Sequence, residues 1–181
     1  MNVVRTAIPD VLVLKPTVHG DARGIFFESF NRRTFAASIG RDVDFVQDNQ
    51  SRSARHVLRG LHYQITHPQA KLVRVIQGEI FDVAVDLRRA SPTFGKWVGH
   101  KLSAESREMT WVPEGFGHGF LVLSEFADVL YKTTDYRFPG AERVLRWSDE
   151  TLAIDWPVRD GLVLSERDRA GQPLADAEVY Q

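Results

Sequence analysis

The chain has 181 residues, 43% of them hydrophobic, and a formal net charge of -1. That length fits one domain with a sizeable core, and the near-neutral balance gives no electrostatic case for a nucleic-acid or anionic-membrane partner. The absence of cysteine excludes disulfides, thiolate zinc ligands and thiol nucleophiles.

Short runs rich in Val, Ile, Leu, Phe and Tyr predict strands over 11–15, 24–29, 58–65, 71–77, 79–87, 96–102, 108–112, 119–123, 128–135 and 144–147. Turn segments bound them: GDARG, QGE, ASPTFG, PEGFG and FPGAE. A helix is predicted over 31–39, with a second short one near 149–153. LRGLHYQITHPQAKLVRV, residues 58–75, reads as a strand, a short turn and a second strand, and IQGEIFDV as a hairpin with Gly78 at its tight turn. The expected fold is all-β: an antiparallel jelly roll or related barrel with a few short helices, able to enclose a pocket. One domain is expected over 1–181, with the barrel core spanning residues 45–148. No stretch nears the roughly 18 apolar residues of a membrane span, and the first residues, MNVVRTAIPDVLVLK, lack a signal-peptide run. A cytoplasmic location is the expectation.

Segment 58–75 carries Arg59, His62, His67, Lys71 and Arg74 among residues suited to burial. Three chemistries compete for them. PEGFGH, residues 113–118, matches the second half of a cupin metal signature, proline-x-glycine-x-x-histidine. The first half needs two histidines one residue apart and then a glutamate, but the chain offers only His62 before Tyr63 and Gln64, with no acidic residue up to Gly78. That ligand count is too small for a metal centre. In the second reading the charges line a solvated sheet face and snorkel to water. In the third, His62 is an acid–base group. Arg59 and His62 sit three apart and point to opposite faces of an ideal strand, and a bulge at Gly60 would bring them to one side. A neutral imidazole takes a proton near pH 7, works better when a carboxylate orients it, and gains from a cation at the developing oxyanion. Lys71, on the second strand, could be that cation. Such a set suits proton abstraction beside a carbonyl.

Over nearly its whole length the chain resembles the dTDP-4-dehydrorhamnose 3,5-epimerases, nucleotide-sugar epimerases with a cupin-type jelly roll. The resemblance rests on GDARGIFFESF, QDNQS, LRGLHYQ, QAKLVRVIQGEIFDVAVDLR, WVPEGFGHGF, YKTTDY and LSERD, in that order. It implies a substrate whose C4 ketone acidifies the protons at C3 and C5. It further implies His62 as the base, Asp168 as its carboxylate partner, Tyr131 as the acid on the opposite face, and Lys71 as the group that stabilises the enolate oxygen. Substrate contacts are implied for Arg59, Arg23, Glu28, Gln47, Asn49, His118, Glu142 and Arg167, with Phe26 packing against the base. The resemblance implies no metal and no organic cofactor, since the ketone itself is the electron sink. It also implies a dTDP-hexose substrate, a place in dTDP-rhamnose supply for cell-surface polysaccharide, and a homodimer with exchanged N-terminal strands.

The chain departs from the family pattern at three places. His19 stands where an aromatic residue commonly precedes the GDxRG turn. Arg137 follows Tyr136 where a second tyrosine is common, and is expected either to meet an anionic group or to turn to solvent. Arg167 replaces a lysine, keeping charge but changing geometry. His19, Tyr136 and Arg137 are therefore the specificity candidates. The reaction expected is conversion of dTDP-4-dehydro-6-deoxy-D-glucose to dTDP-4-dehydro-β-L-rhamnose. A C3-only or C5-only epimerase and a non-catalytic sugar-nucleotide binding protein are the alternatives.

Overall fold

A computed structural model describes residues 1–181. In chain order the elements are β1 (Asn2–Arg5), β2 (Leu12–Lys15), β3 (Val18–Asp21), β4 (Gly24–Phe27), α1 (Arg32–Ile39), β5 (Gln47–Ala54), β6 (Leu58–Gln64), β7 (Lys71–Gln77), β8 (Glu79–Asp86), β9 (Trp97–Ser103), β10 (Met109–Val112), β11 (Phe116–Val122), β12 (Phe126–Thr133), β13 (Glu142–Val144) and α2 (Glu166–Arg169). They build a six-stranded sheet in the order β1-β2-β10-β7-β12-β5 and a five-stranded sheet in the order β13-β6-β11-β8-β9. The fold is an all-β, cupin-like jelly roll, as the strand pattern predicts.

The alternation of side chains sets what lies inside. Along β7, Val73 and Val75 join Phe120 and Val122 of β11 and Ala127 and Val129 of β12 in one buried cluster between the sheets. The opposite parity faces outward. Leu72, Met109 and Trp111 pack under Phe35 of α1 on the outer side of the six-stranded sheet. Leu61, Tyr63, Val83, Val85 and Leu121 pack under Leu145, Leu152, Ile154 and Trp156 of the C-terminal segment. Each sheet is therefore covered on its outer face, which leaves the interior between them for polar chemistry at one end. Helix α1 starts where the Asn31 side chain accepts from Thr34 N and stops at Gly40 in the left-handed region, φ 77°.

Several expectations are corrected. Segment 58–75 is not a hairpin: β6 belongs to the five-stranded sheet and β7 to the six-stranded one. IQGEIFDV is not a hairpin either, because β8 returns to the sheet of β6. Gly78 is a corner between sheets, with φ 80° and a position where a Cβ would meet Phe126 O at 2.1 Å. Residues 149–153 form a single turn. The Asp149 carboxylate accepts from Leu152 N and also from Leu174 N, and Ala153 at φ 46° ends the turn. The strand expected over 144–147 runs instead over Glu142–Val144, because it pairs with the end of β6. The strand β11 begins earlier than expected, so His118 lies within it.

β5 escapes the hydrophobic pattern because both of its faces are polar. β3 and β4 form a separate two-stranded ribbon outside both sheets.

Candidate active site

The irregularity at Gly60 builds the site. Going from His118 to Phe120, β11 advances two residues while β6 goes from His62 back to Arg59, three residues. The extra residue is a bulge. It keeps Leu58 and Leu61 in one outer cluster and leaves Arg59 and His62 free of that cluster. Gly60 has φ 114°, and a Cβ there would meet Gly119 Cα and His118 O, both at 2.6 Å. Only glycine fits so close to a neighbouring backbone.

His62 is held from behind. Its Nε2 lies 2.5 Å from Asp168 Oδ1, so Nδ1 is the ring nitrogen left to face the cleft. Asp168 is 4% exposed and is fixed by its own helix terminus. Ser165 Oγ donates to Asp168 Oδ2 at 2.8 Å and accepts from Asp168 N at 3.1 Å, a serine–acid reciprocal cap over one short turn. Burial pushes the Asp168 carboxyl up, but the hydrogen bond and charge of His62, with Ser165 and the Gly60 N–H, leave it below its ordinary value. An ionised carboxylate therefore stands behind the imidazole, ready to stabilise its protonated form.

The other wall comes from the six-stranded sheet. Lys71 opens β7 and Tyr131 lies on the adjacent β12, where Thr133 pairs with Lys71 and Tyr131 with Val73. Lys71 is buried, and its Nζ donates to His62 O at 3.5 Å across the gap between the sheets. Burial lowers its ammonium to about 8, with Asp82 and Glu142 opposing the drop. Burial also raises the Tyr131 hydroxyl, and the Glu142 charge adds to this while Arg59 and Arg137 pull it down. At neutral pH the cleft thus holds a protonated lysine and a protonated tyrosine opposite a histidine.

A cleft of about 120 Å³ is lined by Gln47, Asn49, His62, Lys71, Tyr131, Arg137 and Glu142, with Tyr63, Gln64 and Gln69 completing it. A larger cavity of about 380 Å³ lies elsewhere, against the N-terminal strands, with mostly apolar walls. The smaller cleft is the candidate site because the titratable groups converge there. Arg59 Nε donates to Ser53 Oγ at 2.9 Å, tying β6 to β5. His118 pairs in register with His62, and its Nε2 lies 2.7 Å from Asp82 Oδ1, both side chains being buried. Glu142 receives Arg137 through Nε at 2.9 Å and Arg167 through Nη1 at 2.7 Å. Arg137 is therefore held at the exposed rim of the cleft, and the anionic group it meets is the chain's own Glu142.

Five sequence candidates are not brought to this cleft. His19, Arg23 and Phe26 sit on the β3–β4 ribbon, where Arg23 pairs with Asp21. Glu28 accepts from Asn31 Nδ2 before α1. Tyr136 is 57% exposed and does not line the cleft. Sequence reasoning missed Asp82, Gln64, Gln69 and Ser165. Only Ser165 has a local signal, a serine three residues before an acid.

Comparison with known proteins leads to a single family. Residues 5–176 match the dTDP-4-dehydrorhamnose 3,5-epimerase family. A dTDP-4-dehydrorhamnose 3,5-epimerase of Pseudomonas aeruginosa is 59% identical over 180 residues, covering 99% of each chain. The crystal structure of a dTDP-6-deoxy-D-glucose-3,5-epimerase from Legionella pneumophila, in complex with dTDP-4-keto-L-rhamnose, superposes with a TM-score of 0.95 at 48% identity, covering 98% of this chain and 94% of that one. A 3'-monoepimerase from Streptomyces bikiniensis, in complex with dTDP-quinovose, superposes with a TM-score of 0.88 at 34% identity, covering 94% and 87%. The protein described here belongs to the dTDP-4-dehydrorhamnose 3,5-epimerase family.

Proposed function

We propose that the chain inverts C3 and C5 of dTDP-4-dehydro-6-deoxy-D-glucose to give dTDP-4-dehydro-β-L-rhamnose. The observation that carries this is the placement of His62 and Tyr131 on opposing sheets with Lys71 between their walls. His62 Nδ1 takes the proton from the carbon beside the C4 ketone. The electron pair moves onto the C4 oxygen, where the Lys71 ammonium offsets the new negative charge. The Tyr131 hydroxyl then gives its proton to the same carbon from the other side, the ketone reforms, and the centre is inverted. Asp168 holds the imidazole in the tautomer this needs. The ketone stores the electrons throughout, so the reading calls for no metal or organic cofactor. Gln47, Asn49, Arg59, His118, Glu142 and Arg167 are the groups proposed to hold the sugar and nucleotide.

His19, Arg23, Phe26 and Glu28 fit this reading in a homodimer. Ile25 is 55% and Phe26 74% exposed on a ribbon that packs on neither sheet. Such apolar surface favours a partner. In the proposed dimer the ribbon of one subunit covers the cleft of the other, bringing its Arg23 to the diphosphate. We place the enzyme in the cytoplasm and read residues 1–181 as one functional unit. A monoepimerase on a related 4-ketosugar is the second reading, favoured by the likeness to the Streptomyces bikiniensis enzyme and by the altered rim at Arg137. Turnover of the nucleotide ketosugar, followed by NMR of the product, tests the proposal. His62→Ala is expected to lower kcat by about 10³-fold while dTDP still binds, and a fully active His62→Ala enzyme would remove the base assignment.

A further inference from the structure

The rim of the cleft is the segment 135–138, and its main chain is held by three glutamine side chains. Gln69 Nε2 donates to Asp135 O at 2.7 Å. Gln64 Nε2 donates to Tyr136 O at 3.2 Å, and Gln64 Oε1 accepts from Phe138 N at 2.7 Å. Gln47 Oε1 accepts from Arg137 N at 3.4 Å. The three come from β5, β6 and the connection into β7, so they tie the rim to both sheets. Each residue from 135 to 138 is thereby held through a peptide group.

Gln64 is the centre of this cradle. It is 3% exposed and lies two residues from His62 on β6. Its Nε2 also donates to His67 O at 2.7 Å, and the His67 ring stacks on Phe138 with centroids 3.9 Å apart. A buried amide whose donor and acceptor are both used is costly to remove. Because the grip is on the main chain, the side chains at 136 and 137 are free to vary without moving the rim. Tyr136 points to solvent, while Arg137, its side chain 60% exposed, is held by Glu142 at the open rim of the cleft that Tyr131 also lines. Its Nε and Nη2 are taken by Glu142, which leaves Nη1 to donate to a ligand oxygen.

We propose that Gln64 is a positioning residue for substrate binding: it sets the 135–138 main chain so that Arg137 stands at the mouth of the cleft, where its guanidinium selects for the diphosphate of the nucleotide sugar. This inference rests on the epimerase reading above. The test is steady-state kinetics on wild type, Gln64→Met, Arg137→Ala and the double variant. Each single change is expected to raise KM for the dTDP-ketosugar about tenfold with kcat within about twofold, and the double variant is expected to match the worse single one, since both act through one group. Competitive inhibition by dTDP is expected to weaken in parallel, and inhibition by thymidine to stay unchanged. Gln69→Met, which removes only the bond to Asp135, is expected to shift KM the same way by less, and it carries the test if Gln64→Met does not fold. A wild-type KM in the glutamine variants, a fall in kcat alone, or effects that multiply in the double variant would each overturn the proposal. A wild-type protein that converts no nucleotide sugar would instead contradict the epimerase reading itself.

Discussion

Lys71 is buried, and burial lowers its ammonium from an ordinary 10.5 to about 8 against the pull of Asp82 and Glu142. Two consequences follow from the sign of that shift. The enolate stabilisation proposed for Lys71 needs the charged form, so kcat is expected to fall as pH rises through about 8, and a pH–rate profile reads this directly. Lys71→Met is expected to lose about 10²–10³ in kcat and, with it, that alkaline limb. Between pH 8 and 10.5 the unfolded chain binds the proton that the folded chain has released, so this group makes folding more favourable as pH rises across that window. The buried ammonium is a cost to stability at neutral pH, retained beside the cleft. Asp168 is the opposite case: His62 and Ser165 outweigh burial and hold it ionised. An alkaline limb that persists in Lys71→Met would assign the titration to another group.

The bulge in β6 turns a strand into a site. Without the extra residue, Arg59 and His62 would point to opposite faces. Gly60→Ala is expected to destabilise the fold by about 3 kcal/mol or more, because the methyl meets the backbone of Gly119 and His118 and the residue must keep φ 114°. Thermal unfolding measures the loss, and surviving protein is expected to show reduced kcat from a displaced His62. Gly60 and the all-β class were legible in the sequence because strand parity and turn residues are local signals. The assignment of β6 and β7 to different sheets was not, since a six-residue connection suits a hairpin and a sheet crossing equally well. β5 was hidden because Gln47, Asn49, Ser51 and Ser53 face inward as polar residues. Asp168, 106 residues from His62, was reachable only through the family motif. The glutamine cradle acts through main-chain atoms, which leave no pattern in residue types.

At the scale of the whole molecule, the β3–β4 ribbon is the part left without a packing partner. It carries apolar Ile25 and Phe26 and the exposed Arg23, while the groups proposed to move protons lie in the barrel. If the ribbon completes a neighbour's cleft, Phe26→Asp is expected to turn a dimer into a monomer in light scattering. Turnover is expected to fall at least about tenfold, the scale of a lost interface anchor. A dimer that persists with full activity would separate the ribbon from the site. The central claim, that this cleft exchanges the protons at both C3 and C5, is tested most directly by turnover of dTDP-4-dehydro-6-deoxy-D-glucose in D₂O with NMR of the product. Deuterium is expected at both carbons, and at neither in His62→Ala. Label at one carbon alone, or at neither, in the wild-type product would contradict that claim.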